Sequence, residues 1–297
     1  IFVKLIFCVF IGTIICGISA GIGLFRGILS STPVVRISDI AASGQATIVY
    51  DIEGNEIDQY VSTNSNRITV TMDQVPKYLG LAFVAIEDER FYQHNGIDLK
   101  GIIRAGYTFV KSGFKQKQGA STITQQLLKN TIFTTWTEEG GNTIKQLKRK
   151  VQEQYLAIEV TKNTSKDEVL LRYMNAINLG QNTLGVESAS QRYFGKSCSD
   201  LNQSECAAIA SMTQNPSAYN PLRYPEKNAR RRKDCLDKML ELEFITKAEY
   251  DEAIADTDAV YERIGLYDTH LQETESSAGS YFSDAVYEQV KEDLVKL

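Results

Sequence analysis

The alternation of apolar and polar positions divides the chain into four stretches. Leu5 to Phe25 holds no charged residue and is bounded by Lys4 and Arg26. Its 21 residues suffice to cross a hydrocarbon layer of about 30 Å as one helix. A cleavable signal peptide ending near Ala20 is the competing reading. The run is long for a signal core, which favours a retained anchor over residues 1–26. From 27 to 73 the pattern shortens to that of strands. Ala46–Tyr50 and Glu56–Val61 flank a polar turn at Asp51–Asn55, which is a hairpin signal, and Arg67–Val70 reads as a third strand. A small β-rich stem is expected there.

From Pro76 the spacing is helical. Tyr78–Ile86 is an apolar helical run, and Leu99, Ile102, Ile103, Gly106, Phe109 and Val110 share one helical face. Thr143 is expected to cap a helix with the stripe Ile144, Leu147, Val151, Tyr155 and Ile158. Ser165 with Glu168, Asn202 with Glu205 and Thr246 with Glu249 have capping-box spacing, and Pro225 suits a first helical turn. Helices this numerous, with few strands, predict a mainly α domain over residues 74–256. Residues 257–279 read as a polar linker. Phe282, Val286, Val290 and Leu294 then predict a last helix. Residues 257–297 are therefore expected to be a linker and the start of a truncated C-terminal region.

Composition adds limits. A net charge of −5 gives no global attraction for nucleic acid, and none is expected as a partner. The cations are locally clustered, at Lys145, Lys148, Arg149 and Lys150 and again at Lys227–Lys233, which suits a local anionic ligand. Five cysteines, two of them (Cys8 and Cys16) in the apolar N-terminus, provide no disulfide framework, so Cys198, Cys206 and Cys235 are read as free and mostly buried. Two histidines, His94 and His270, exclude a His-rich metal site.

The chemistry concentrates between Glu87 and Asn130. The apolar run ends on Glu87, Asp88 and Glu89, which cannot all be buried unpaired, so at least one should face a cleft. Gly119–Asn130 then presents Ser121, Thr122, Thr124, Gln125 and Gln126 at a helix opening, where free N–H donors can cradle an oxyanion or phosphate. Thr122 with Gln125 also fits a simple capping box. Further on, Arg149, Lys150 and Glu153 project from one side of a helix, the spacing of an ordinary surface ion pair as well.

Together these blocks resemble the peptidoglycan glycosyltransferase domain, glycosyltransferase family 51, found in class A penicillin-binding proteins and monofunctional transglycosylases. Glu87, Asp88, Phe91, His94 and Gly96 fit its pattern E-D-x-x-F-x-x-H-x-G. Gly119, Ser121, Thr122, Thr124, Gln125, Gln126, Lys129 and Asn130 fit G-x-S-T-x-T-Q-Q-x-x-K-N, and Arg149, Lys150 and Glu153 fit R-K-x-x-E. Lys166–Asn175 and Arg231–Leu236 are similar to the fourth and fifth motifs, with apolar exchanges at Val169, Met174 and Cys235. The interval from Asn130 to Arg149 is longer than the family pattern, with residues 134–142 as the insertion.

The resemblance implies a lysozyme-like, mainly α domain behind a transmembrane helix. It also implies a single-pass protein of the bacterial cell membrane whose catalytic domain lies on the extracytoplasmic side. The implied reaction joins lipid II to a growing lipid-linked glycan strand. The GlcNAc 4-hydroxyl attacks C1 of the lipid-linked MurNAc, C1 inverts, and undecaprenyl diphosphate leaves. Glu87 is the expected base. A diphosphate leaves as a stable anion and calls for cations rather than a second proton donor. Glu153 is expected to orient Arg149 and Lys150 or to hold a divalent cation (Mg or Mn) at the diphosphate, and the orienting role is preferred. No cofactor is otherwise required. Ser121, Thr124, Gln125, Gln126, Lys129, Asn130, Arg149, Lys150, Asn175 and Arg231 are the expected substrate-binding residues, Asn175 and Arg231 also suiting support of the cleft. His94 is read as structural, tying the loop after Phe91, and Trp136 suits either the bilayer interface or the core. Two other readings stay open: a lysozyme-like lytic enzyme acting on the same glycan, and an inactive membrane scaffold for other wall-synthesis proteins.

Overall fold

Helix α2 (Lys77–Glu87) has apolar residues on nearly every side, and such a helix belongs in the middle of a domain. The computed structural model describes residues 2–36, 40, 47–50, 52–53, 56–60, 66–113, 115, 119–134, 142–180, 183–265, 289–290 and 293. In it α2 buries Leu79, Ala82, Phe83, Val84 and Ala85. Preceding it are α1 (Phe2–Ser30), the strands β1 (Thr47–Tyr50) and β2 (Glu56–Tyr60), and β3 (Asn66–Arg67). After it come α3 (Leu99–Lys111), α4 (Ile123–Thr131), α5 (Thr143–Asn163), α6 (Lys166–Ala176), β4 (Thr183–Leu184), α7 (Val186–Phe194), α8 (Gln203–Ala210), α9 (Pro225–Glu241) and α10 (Lys247–Ala255). Helices α8, α9 and α6 pack on α2, and α4 lies between α5 and α6. The mainly α class expected from the sequence is what the fold shows.

The capping boxes of Thr122 with Gln125, Asn202 with Glu205 and Thr246 with Glu249 all form, and Pro225 opens α9. Two caps differ in detail. Asn142, not Thr143, caps α5, because its side chain reaches Lys145 N. Ser165 caps α6, while Glu168 pairs forward with Arg172 at 2.7 Å instead of reaching back. Cys198, Cys206 and Cys235 are free and buried, and Cys16 is free on α1.

Other expectations change at the boundaries. The hairpin forms from β1 and β2. The third strand does not join it: β3 pairs in parallel with β4 inside the helical domain. The Asn175 amide fixes this segment, donating to Val70 O and accepting from Val70 N, both at 2.9 Å. Residues 257–265 are helical rather than linker. Val260 and Ile264 are buried there, and Arg263 bridges Asp256 and Glu205. Most of the expected last helix, Trp136 and most of the 134–142 insertion lie outside the described residues.

Helix α1 includes a span, Phe10–Ser30, long and apolar enough to cross a membrane. Its end is fastened to the domain by Gln152 of α5, which donates to Ser31 O at 3.1 Å and Ser31 Oγ at 3.3 Å. The apolar stripes of α3 and α5 do not turn to the core. Leu99, Ile103, Tyr107 and Val110 are exposed, as are Ile144 and Leu147. Periodicity identified these faces correctly as helical stripes, but it does not say what covers them.

Candidate active site

The last turn of α2 places Glu87 at the rim of the core, and Asp88 (φ −156°, ψ 69°) ends the helix. The three successive acids go three ways. Asp88 turns inward and is buried, accepting from Ile123 N at 3.0 Å and so holding the start of α4. His94 Nε2 donates to the same carboxylate at 2.9 Å, and its Nδ1 accepts from Gly96 N at 3.2 Å. Both ring nitrogens are used, so His94 ties the loop together, the structural role expected of it. Glu89 turns to Arg90 and to Arg104, the latter at 2.8 Å. Burial pushes the Glu89 carboxyl up, but Arg104 and Arg90 together hold it below the ordinary range.

The first two motifs are parts of one object. Thr122 Oγ1 donates to Gly96 O at 2.7 Å while capping α4, so the loop after Phe91 and the helix opening are joined. Gly96 has φ +92°, and a Cβ there would stand 2.1 Å from Ala157 O of α5. Only glycine lets three segments meet at this point. Gly96→Ala is expected to destabilise the domain by more than about 3 kcal/mol, summing left-handed strain and overpacking. Urea unfolding checks this, and an unchanged midpoint would refute it.

Glu87 opens on a cleft of about 410 Å³ lined in part by Ser121, Gln126, Arg104, Gln214, Arg231 and Lys238. Gln126 Nε2 donates to Glu87 Oε2 at 2.8 Å. Thr213 Oγ1 and Arg231 Nη2 (3.3 Å) both donate to Oε1. A carboxylate offers about four lone-pair positions. With these three donors counted, one position remains, on Oε2, for a further donor. The Arg231 guanidinium lies over the Tyr219 ring at 5.2 Å and also donates to Ser211 O. Its partner is the carboxylate that the sequence set apart as base.

The second carboxylate, Glu153, is fully buried. Arg149 Nη1 donates to its Oε1, and Lys150 Nζ lies 2.8 Å from its Oε2. Lys150 also donates to Ser121 Oγ at 2.9 Å, joining α5 to the opening of α4. Half-buried Lys129 feels both glutamates. Burial pulls its ammonium below the usual lysine range, Glu153 and Glu87 oppose that pull, and Lys150 and Arg149 add to it. Three cations, Lys129, Arg149 and Lys150, thus gather about the buried Glu153 carboxylate. With Arg149 and Lys150 already on its oxygens, Glu153 does not fit a divalent cation, which would be brought close against like charge.

Among the other expected binding residues, Ser121 and Gln126 line the cleft. Thr124 and Gln125 are buried, Gln125 in the cap of α4 and Thr124 3.5 Å from Thr161 Oγ1. Asn130 is half-buried in the last turn of α4. Asn175 is buried, and its amide is occupied by Val70, so it fastens the fold rather than meeting the cleft. Sequence reasoning missed Thr213, Gln214 and Arg104. Thr213 and Gln214 follow directly on the buried run from Cys206 to Met212. Polar residues at the end of a buried helix are the signal that singled out Glu87.

Comparison with known proteins places the chain in a family. The transglycosylase family model matches residues 53–240. The chain is 39% identical over 300 residues to penicillin-binding protein 1A of Clostridium botulinum, covering 98% of this chain and 35% of that protein. It is 40% identical over 300 residues to penicillin-binding protein 1A of Clostridium acetobutylicum, covering 98% and 36%. With penicillin-binding protein 1A of Escherichia coli it shares 38% over 252 residues, covering 84% and 28%. The chain therefore spans about a third of the length of these relatives. The crystal structure of penicillin-binding protein 1A from Haemophilus influenzae aligns over 72% of this chain and 20% of that one, at 25% identity with a TM-score of 0.37. With the family model covering more than half of its residues, the chain belongs to the transglycosylase family, the peptidoglycan glycosyltransferases of cell-wall synthesis that its motifs resemble.

Proposed function

We propose that this chain polymerises lipid II into β-1,4 glycan strands, with inversion at C1 and release of undecaprenyl diphosphate. The observation that carries the reading is the contrast between its two carboxylates. Glu87 faces the cleft and keeps one lone-pair position on Oε2, while Glu153 is enclosed by Arg149 and Lys150. A sugar hydroxyl needs a base, which Glu87 supplies by taking its proton as the new bond to C1 forms. The bond from C1 to the diphosphate oxygen breaks with its electron pair, and the leaving anion needs positive charge rather than a proton. Arg149, Lys150 and Lys129 provide that charge, with Ser121 beside them. Glu153 keeps the two neighbouring cations aimed and holds no metal in this scheme. Arg231 and Thr213 fix the base and do not bind the sugar.

The chain lies at the extracytoplasmic membrane surface, with α1 as anchor. Exposed apolar stripes on α3 and α5, interleaved with Lys100, Lys111, Lys145 and Lys148, suit a helix pair resting in the lipid interface. Gln152 fastens the end of α1 to α5 one residue before Glu153, so the cationic site is held near the lipid surface where a polyprenyl donor arrives. Other wall-synthesis proteins are its expected partners.

The test is incubation of the chain in detergent with labelled lipid II, with and without moenomycin. Moenomycin-sensitive strands are the expected product. Shortening of preformed glycan would move the assignment to a lytic enzyme. No product of either kind would leave a scaffold.

A further inference from the structure

Tyr173 of α6 is fully buried, its ring edge-on to Phe83 with centroids 5.7 Å apart. A hydroxyl buried without a partner is costly, and a phenylalanine would fill the space without that penalty. Among the described residues the hydroxyl has one hydrogen-bond partner across the core, Gln126 Oε1 at 3.4 Å. Burial, with Glu87 and Asp88 adding to it, pushes the phenol well above its usual range, so the group stays a proton donor.

The far end of Gln126 meets the proposed base. Its Nε2 donates to Glu87 Oε2 at 2.8 Å. An ionised carboxylate only accepts, so this amide works in one orientation, NH₂ toward Glu87 and oxygen toward Tyr173. The flipped amide would set oxygen against oxygen at Glu87. Glu87 selects this orientation from the cleft side, and the Tyr173 hydroxyl, donating to Oε1, selects the same one from behind.

We infer that Tyr173 is a positioning residue for the base: its hydroxyl holds the Gln126 amide so that the NH₂ grips Glu87 Oε2 and leaves the other lone pair of that oxygen directed at the acceptor hydroxyl. This rests on the reading of Glu87 as base. The fourth motif thereby acquires a role in the chemistry, through Gln126 rather than by touching substrate.

Strand synthesis from lipid II in detergent tests it with wild type, Tyr173→Phe, Gln126→Ala, the double variant and Glu87→Gln. Tyr173→Phe should lower kcat about 3- to 10-fold, the span of one hydrogen bond, with KM unchanged. On the Gln126→Ala background the same exchange should cost nothing further, because the group it acts through is gone. A structural role alone would slow both backgrounds equally, and that result would overturn the inference. So would an unchanged kcat in Tyr173→Phe. In either case an inactive Glu87→Gln would leave the assignment of the base intact. A Glu87→Gln chain working at the wild-type rate would instead remove the base itself and this inference with it.

Discussion

Glu87→Gln should abolish strand synthesis, lowering the rate by about 10²- to 10⁴-fold, while donor binding persists. That range is what a positioned general base contributes. The amide keeps the shape of the side chain and can still accept from Thr213 and Arg231, the donors at Oε1. What it loses is the capacity to take a proton and to accept from Gln126 Nε2, because its own NH₂ stands where Oε2 was. It also loses a charge that Arg231 faces from 3.3 Å, so a modest drop in the urea midpoint should accompany the loss of activity. Retained lipid II binding without turnover is the expected pattern. Turnover near the wild-type rate would remove Glu87 from the base position.

Lys150→Ala carries the second largest expected effect. Lys150 is the more exposed of the two cations paired with Glu153, at 40% against 15% for Arg149, and it contacts both that carboxylate and Ser121. Its removal should weaken donor binding and slow transfer together. A hydrogen bond to a charged group contributes about 1.5–3 kcal/mol, or about 10- to 150-fold in kcat/KM. Arg149→Ala should act in the same direction, and it should lower the urea midpoint more, because it strips Oε1 of a carboxylate with no access to water. Unchanged kinetics in both variants would reduce the trio to a structural ion pair and leave the diphosphate without a site.

The residues of the site were legible where their signals are local. Three acids closing an apolar helix, a hydroxyl-rich stretch at a helix opening, and a carboxylate three and four residues from two cations can all be read within a turn or two. Their partners could not be read this way. Thr213 and Arg231 are 126 and 144 residues from Glu87, and no periodicity links them. The same limit explains β3. A short extended segment beside a hairpin looks like its third strand, yet β3 finds its ladder in β4, more than a hundred residues away, where Asn175 and Ser188 hold the adjoining backbone. The motif left Asn175 open between binding substrate and supporting the cleft, and its amide bonds to Val70 are what favour support.

Local spacing in the sequence was enough for the long apolar N-terminal helix, the helical class and three reciprocal caps, because each depends on hydrogen bonds or side-chain spacing within about one helical turn. The tertiary structure alone decided that Asp88 turns inward and Glu87 outward, that Glu153 is sealed among cations, and that a buried tyrosine stands behind Gln126. Those outcomes depend on which helices pack against α2 and α4. A carboxylate's role follows from the donors that surround it, and packing brings those donors from segments far apart along the chain.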